Sequence, residues 1–288
     1  YFFCSLLQQF SSCEYILFIT LVFLISISIM YRNQYDTDVV TWSPQGRVFQ
    51  IEYAMEAVKQ GTAVVGARND EIVVLACIKR STSRLAGYQK KLYKIDNHIG
   101  VAVSGITADA KVICNYLRSE CLNYSFTYDS PIPLNTLVNR LVLKSQVNTQ
   151  EYGRRPFGVG LLLAGFDESG PHLFETCPSG NCFEYYSIAI GSRSQASKTY
   201  LEKHFKEFAN CSKDQLILHT LRALRSSLSS EQEMNQENVD VAILGRNDIY
   251  NELLEEEKIK YLQIINQEQP PTIEQINESQ ETSSMQID

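Results

Sequence analysis

The pattern of apolar and polar positions divides the chain into short runs of β-branched residues and longer segments with helical spacing. The short runs occur in groups, and each group precedes a pair of the helical segments. Apolar runs at 62–67 and 72–78, separated by four polar residues, predict a β-hairpin. A further strand is predicted at 99–104. Apolar residues on one helical face then follow, and we expect Thr107 to cap this helix. A second amphipathic helix is predicted after Pro133.

The second half of the chain repeats this order of strands and helices. Strands are predicted at 159–166, 172–176, 183–190 and 239–244. Two amphipathic helices, at about 194–208 and 213–227, precede the last of these strands. Two groups of strands, each followed by a helix pair, indicate an α+β fold with two packed sheets and helices outside.

Both ends of the chain differ from this body. Residues 251–288 contain two Lys against nine Asp or Glu and predict an acidic, disordered tail with a short helix at 253–262. Residues 1–29 form an apolar leader whose one charge is Glu14. It lacks the basic flank of a secretory signal, so we interpret it as upstream untranslated sequence and expect the mature protein to start at Met30, without residues 1–29. A signal peptide and a membrane anchor are the alternatives.

Charge and cysteine usage exclude several classes of function. The 288 residues carry a net charge of −7, which argues against general nucleic-acid binding. The eight Cys form no CxxC pair, and no Cys/His cluster has zinc spacing, so neither a metal nor a cofactor is expected. Scattered, unpaired thiols fit a reducing compartment.

A block from Trp42 to Gly61 combines a turn with a short amphipathic helix that Gly61 can close. Its sequence, WSPQGRVFQIEYAMEAVKQG, resembles the signature of proteasome alpha subunits. Further motifs of the family follow in the same order: KKLYKIDNHIG at 90–100, SGITADA at 104–110 and YGRRPFGVG at 152–160. The resemblance covers about 31–250. It implies a four-layer αββα sandwich of the N-terminal-nucleophile hydrolase type.

The resemblance also implies a function and a set of site residues. Family members form the outer rings of the 20S core particle and contact neighbouring alpha subunits, beta-ring subunits, and regulatory particle ATPases or other activators. It implies a non-catalytic scaffold and axial gate in the cytoplasm and nucleus, without a cofactor. The gate cluster of the family matches Tyr35, Asp36, Pro44 and Tyr53, and its activator-docking pocket matches Glu52, Gly61, Lys91 and Gly105.

A catalytic beta-type subunit is the main alternative. Such a subunit would expose Thr62 as an N-terminal nucleophile by cleavage after Gly61, with Lys91 nearby. The acidic residue that supports this chemistry falls at Ile78, so the residues favour a non-catalytic chain. A membrane-anchored or secreted binding protein is a third interpretation, which rests on residues 1–29 and on three Asn-X-Ser triplets.

Overall fold

A computed structural model describes residues 35–81, 85–87, 89–228, 234–246 and 249–267. Six helices are described: α1 Phe49–Gln60, α2 Thr107–Tyr128, α3 Leu134–Gln150, α4 Ser194–Phe208, α5 Lys213–Ser226 and α6 Glu255–Gln267. Ten strands accompany them: β1 Val64–Arg68, β2 Ile72–Ile78, β3 Leu92–Asp96, β4 Ile99–Gly105, β5 Val159–Asp167, β6 Gly170–Thr176, β7 Cys182–Glu184, β8 Ser187–Ile190, β9 Val239–Gly245 and β10 Asn251–Glu252.

The strands form two antiparallel five-stranded sheets, with the orders β10-β9-β2-β1-β8 and β3-β4-β5-β6-β7. Three buried clusters show how the layers stack. One packs the first sheet against helices α4, α5 and α6, and a second packs the other sheet against α2 and α3. The third lies between the two sheets. These clusters define an αββα order, which confirms the predicted α+β sandwich.

Strand β2 illustrates how the sequence specifies these layers. All but its last residue is buried, because both faces of the strand are covered. Val73 and Leu75 point to the opposite sheet, whereas Val74 and Ala76 point to the helices. The period-two alternation of side chains therefore places neighbouring apolar residues in two different cores.

Two local predictions differ from the structure. The expected strand 183–190 is two strands, and β7 and β8 belong to different sheets, so the chain crosses between sheets at this point. Thr107 is the first residue of α2 rather than its cap; Ile106 occupies that position without a side-chain hydrogen bond. The apolar pattern also misses strand β3, because Tyr93 and Lys94 interrupt it.

The short helix predicted at 253–262 is present as α6, whereas the disorder predicted for the residues around it is wrong for 251–252 and 263–267. Strand β10 extends the first sheet, and α6 buries Leu262 and Ile265 against the core. Lys258 Nζ also lies 2.7 Å from Asp240 Oδ1 of β9. A few well-placed apolar residues thus outweigh the acidic composition of this segment. Residues 268–288 lie outside the described part of the chain.

No helix among the described residues is long and apolar enough to cross a membrane. The apolar leader 1–29 and Met30 lie outside those residues. The alternatives for that segment therefore stay predictions.

Candidate functional site

Lys91 lies next to Thr62 in the interior of the chain, immediately before β3. The residue is 6% exposed, and its Nζ donates a hydrogen bond of 3.3 Å to the carbonyl oxygen of Thr62. Ser104 Oγ donates to the same oxygen at 3.2 Å. Burial lowers the pKa of Lys91 to about 8, and the nearby Cys77 thiol opposes this shift. The lysine is thus a poorly solvated ammonium group rather than a surface charge.

Two glycines line the same region because other backbone segments approach them closely. A Cβ atom on Gly61 would lie 2.4 Å from the backbone nitrogen of Gly105 and from Ser104 Oγ. Gly105 has a φ of +119°, and a Cβ atom there would lie 2.3 Å from the carbonyl oxygen of Gly158. Gly61 ends α1 in an extended conformation, with a φ of −66°. Gly61 therefore closes the helix as predicted, but a glycine is needed here for the close approach of other backbone segments and not for a left-handed conformation.

The structure brings Gly61, Gly105 and Lys91 together but places Glu52 elsewhere. Glu52 lies in the first turn of α1, nine residues before Gly61, which corresponds to roughly 13 Å along the helix axis. Its carboxylate accepts a hydrogen bond of 2.7 Å from Arg47 Nε and forms an ion pair with that guanidinium. Within this chain, Gly61, Gly105 and Lys91 therefore form the central part of the predicted pocket, and the Glu52 carboxylate lies apart from them.

The predicted gate residues lie at the N-terminal end of α1. Tyr53 Oη donates a hydrogen bond of 3.1 Å to Asp36 Oδ2, and the Gln50 side-chain amide donates to the Asp36 carbonyl oxygen. These bonds hold the segment that precedes α1 against the helix. Tyr35, another predicted member of this cluster, is half-buried at the start of the described chain.

Pro44 occupies the second position of a tight turn in front of α1. The amide of Gly46 donates to the carbonyl oxygen of Ser43 at 2.9 Å, and the Ser43 hydroxyl accepts from the Arg47 amide at 3.0 Å. The pyrrolidine ring fixes φ at the position where the turn needs it. The turn therefore gives the N-terminal segment a defined direction relative to the helix.

The strand predicted at 62–67 begins at Val64, so Thr62 lies just before β1, in surroundings that are not those of a nucleophile. Its hydroxyl donates a hydrogen bond of 2.5 Å to the carbonyl oxygen of Ile78, and its nitrogen is in the peptide bond to Gly61. Neither a free α-amine nor a carboxylate at position 78 is present to activate it. Lys91 is the one member of the beta-type pattern that the structure places beside Thr62.

Two of the motifs quoted above meet through an ion pair. Arg155 donates two hydrogen bonds, of 2.6 and 2.7 Å, to the carboxylate of Asp109, which also accepts from the Gly158 amide at 3.0 Å. The guanidinium group is the main cause of the lowered pKa of Asp109, and the Gly158 amide adds to the effect. This pair joins the start of α2 to the chain just before β5, beside Gly105.

Sequence reasoning missed two clusters of polar side chains. In the first, His172 lies between Ser169, whose hydroxyl is 2.7 Å from Nε2, and Glu184, whose carboxylate is 2.7 Å from Nδ1. The Ser169 hydroxyl donates a hydrogen bond of 2.5 Å to Asp167. Its proton therefore points to a carboxylate and not to His172, as it would in a serine nucleophile activated by a histidine base.

The second missed cluster joins His204, Glu207 and His219 on helices α4 and α5. Taken one at a time, these histidines look like ordinary core or surface residues. The signal that could have found the cluster is His-x-x-Glu on one helix followed by His on the next.

Comparison with known proteins gives the family. A model described as "Proteasome subunit" matches residues 58–244, and a model for the N-terminal signature of the family's alpha subunits matches residues 35–57. The first match covers more than half of the chain, and the second covers the predicted gate cluster.

Several curated relatives are similar over most of their length. The alpha type-1 proteasome subunit of Dictyostelium discoideum is 51% identical over 242 residues, which cover 84% of this chain and 98% of the relative. The alpha type-1 subunit of Drosophila melanogaster is 47% identical, over 82% of this chain and 85% of the relative. A probable alpha type-6 subunit of Schizosaccharomyces pombe is 50% identical, over 77% and 81%.

These matches support the alpha-type interpretation against the beta-type alternative. The signature lies in the segment that includes α1, which cleavage before Thr62 would remove. Motifs such as Trp42-Ser43-Pro44 and Tyr152-Gly153-Arg154-Arg155-Pro156 look most like those of the alpha type-1 class, and relatives of that class are 43–51% identical. The chain belongs to the alpha-subunit branch of the proteasome family, whose members are the non-catalytic subunits of the particle's rings.

Proposed function

We propose that this chain forms part of an outer ring of a 20S proteasome, between neighbouring alpha subunits and above beta subunits. There it acts as a scaffold, contributes to the axial gate and provides a docking site for regulatory particles. We place this activity in the cytoplasm and the nucleus, where ubiquitin-linked, ATP-dependent degradation occurs. The observation that carries the docking part is the buried Lys91 ammonium beside Gly61 and Gly105.

The chemistry of Lys91 suits a carboxylate ligand. In the described part of the chain, the Thr62 carbonyl oxygen at 3.3 Å is the one hydrogen-bond acceptor of its Nζ. An incoming C-terminal carboxylate would supply the charge that this desolvated ammonium lacks, through a charge-assisted hydrogen bond. Gly61 and Gly105 pack against the chain's own backbone, and this close approach brings their loops together beside Lys91. Activator tails that end in a free carboxylate are therefore the proposed ligands.

The gate part of the proposal rests on the contacts in front of α1. The Pro44 turn sets the direction of the N-terminal segment, and Tyr53 holds Asp36 within hydrogen-bond distance. A phenol and a carboxylate at the base of each tail are able to bond across neighbouring tails when a ring forms. Tyr35 joins this cluster in the proposal as a second phenol.

Substitution of Lys91 tests the docking proposal directly. We expect Lys91→Ala, in assembled particles, to weaken activator binding by about 10- to 100-fold, since a hydrogen bond to a charged group contributes ~1.5–3 kcal/mol. The measurement is the activator concentration that gives half-maximal stimulation of peptide hydrolysis. Lys90→Ala is the matched control, because Lys90 is exposed and pairs with Glu252 at 2.9 Å. Equal activator dependence in the two variants would refute the pocket assignment.

A further inference from the structure

Helices α4 and α5 hold three metal-ligating side chains against each other. His204 Nδ1 lies 3.2 Å from Glu207 Oε2, and His219 Nε2 lies 3.7 Å from the same oxygen. All three ligand atoms lie within 4.8 Å of one another. Ligands about 2.0–2.1 Å from a tetrahedral zinc ion are separated by roughly 3.3 Å, so small side-chain rotations would close the triangle.

The fold fixes the backbone positions of these three residues. His204 and Glu207 are one turn apart on α4 and therefore share a face of that helix. His219 lies on α5, whose start is held by a capping box between Ser212 and Gln215. A buried hydrogen bond of 2.6 Å from Ser197 Oγ to the Ala223 carbonyl oxygen ties the two helices together. The cluster thus sits on a rigid helix pair.

A neighbouring tyrosine orients one of the imidazoles. Tyr200 Oη lies 3.0 Å from His219 Nδ1, whereas Nε2 is the ring nitrogen that faces Glu207. When Nδ1 donates its proton to this hydroxyl, Nε2 carries the free electron pair that a metal ion needs. Such a partner for the outer ring nitrogen is the usual companion of a metal-bound histidine.

We propose that His204, Glu207 and His219 form a binding site for a divalent transition-metal ion, with Zn²⁺ as the ion that this ligand set favours. Two imidazoles and one carboxylate are a zinc ligand set, and they leave a fourth position for water. The cluster opens onto a groove that also contains Lys206 and Arg222. These cations oppose a bound ion, so we expect weaker binding than in closed structural zinc sites.

A titration of the full chain with Zn²⁺ against a chromogenic chelator tests the site. We expect one equivalent to bind in this site, and Glu207→Gln to weaken that binding by about tenfold or more. Glu202→Gln is the matched control, because Glu202 is an exposed carboxylate on the same helix. Tyr200→Phe keeps all three ligands and removes the orienting hydroxyl, and we expect about a tenfold loss there as well.

A second measurement separates loss of binding from loss of folding. Saturating Zn²⁺ should raise the melting temperature of the wild-type chain and of Glu202→Gln, but not that of Glu207→Gln. Co²⁺ in place of Zn²⁺ should give the intense visible absorption of a four-coordinate site in the wild type. No bound equivalent in the wild type, or equal affinity in Glu207→Gln and Glu202→Gln, would overturn the proposal.

Discussion

At the scale of single residues, the proposed docking function depends mainly on Lys91. A lysine is normally placed at the surface, and the pair Lys90-Lys91 looks like two solvated charges in the sequence. The structure separates them: Lys90 pairs with Glu252, whereas Lys91 is buried against Thr62. Burial of an ammonium costs free energy unless a partner balances its charge. That imbalance within the isolated chain is what a carboxylate ligand would relieve.

The lowered pKa of Lys91 predicts a pH dependence of stability. With a folded-state pKa of about 8, below the ordinary lysine value of 10.5, the folded chain binds fewer protons than the unfolded chain between these values. The free energy of unfolding of the wild type should therefore rise from pH 8 to pH 10.5, relative to Lys91→Met, by up to about 3 kcal/mol.

Denaturant unfolding of the two chains at several pH values measures this difference, because other titrating groups are common to both. Below pH 8 the difference between the chains should stay constant. A difference that is also constant from pH 8 to pH 10.5 would mean that Lys91 titrates normally.

Tyr53 gives a residue-scale test of the gate. Tyr53→Phe removes the hydroxyl that donates to Asp36 while it keeps the ring. We expect assembled particles with this substitution to bind an activator normally but to admit peptide substrates several-fold more slowly. The fluorescence rate at saturating activator measures this entry. Tyr128→Phe, at an exposed position at the end of α2, is the control and should leave the rate unchanged.

At the scale of elements, the loops around β4 and β5 hold the central part of the proposed pocket together. Gly61 ends α1, Gly105 ends β4, and Gly158 precedes β5, and their backbones approach one another closely. The Asp109–Arg155 pair secures the same junction from the other side. Secondary structure therefore positions the pocket residues through backbone contacts that leave no room for side chains.

Replacing Gly105 should disrupt this junction. In Gly105→Ala the added Cβ atom meets the carbonyl oxygen of Gly158 at 2.3 Å, at a φ that L residues rarely adopt. We expect a loss of roughly 2 kcal/mol or more in the free energy of unfolding.

Gly153→Ala is the matched control, because its φ of +77° is also positive but nothing lies within 4 Å of the added atom. It should cost about 1 kcal/mol, from backbone strain alone. Equal losses in denaturant unfolding of the two variants would contradict the close-approach explanation.

The Asp109–Arg155 pair should stabilise the junction more than other surface pairs do. Asp109→Asn removes the charge that accepts two guanidinium bonds and one amide bond, and we expect a loss of about 1–3 kcal/mol at neutral pH. Because the pKa of Asp109 is lowered, this stabilisation is present above pH 3.8 and disappears as the pH falls through the folded-state value.

Arg154→Ala is the control, since its exposed pair with Glu151 should contribute less than about 1 kcal/mol. Thermal unfolding of the two variants at neutral pH makes the comparison. Similar losses in both variants would show that the buried Asp109 carboxylate stabilises the fold no more than an exposed ion pair does.

The sequence predicts those helices and strands whose formation depends on residues that are close together in the chain. Strand β2 and helices α4 and α5 follow from periodicity, because apolar residues at fixed spacing fill a core. The break between β7 and β8 does not follow, since a change of sheet depends on distant partners. The meeting of Gly61 and Gly105 is likewise invisible in the sequence, because it depends on tertiary contact.

At the scale of the whole molecule, the described part of the chain builds its own core, whereas the proposed pocket and gate are only partly assembled within it. The three buried clusters close within the chain. Glu52 and the central pocket residues stay apart, and Tyr35 and Asp36 lie at the very start of the described residues. These features suit a ring member whose pocket and gate are completed by neighbouring copies of the fold. Activity is therefore expected of the ring and not of the single chain.

The intact mass of the native chain, measured together with the size of the particle that contains it, tests the ring assignment most directly. We expect a particle of several hundred kilodaltons in which the bond between Gly61 and Thr62 is uncleaved and α1 is retained. A chain that begins at Thr62 in such a particle would show self-processing, and thus an active peptidase. A stable monomer in the native state would contradict the ring assignment.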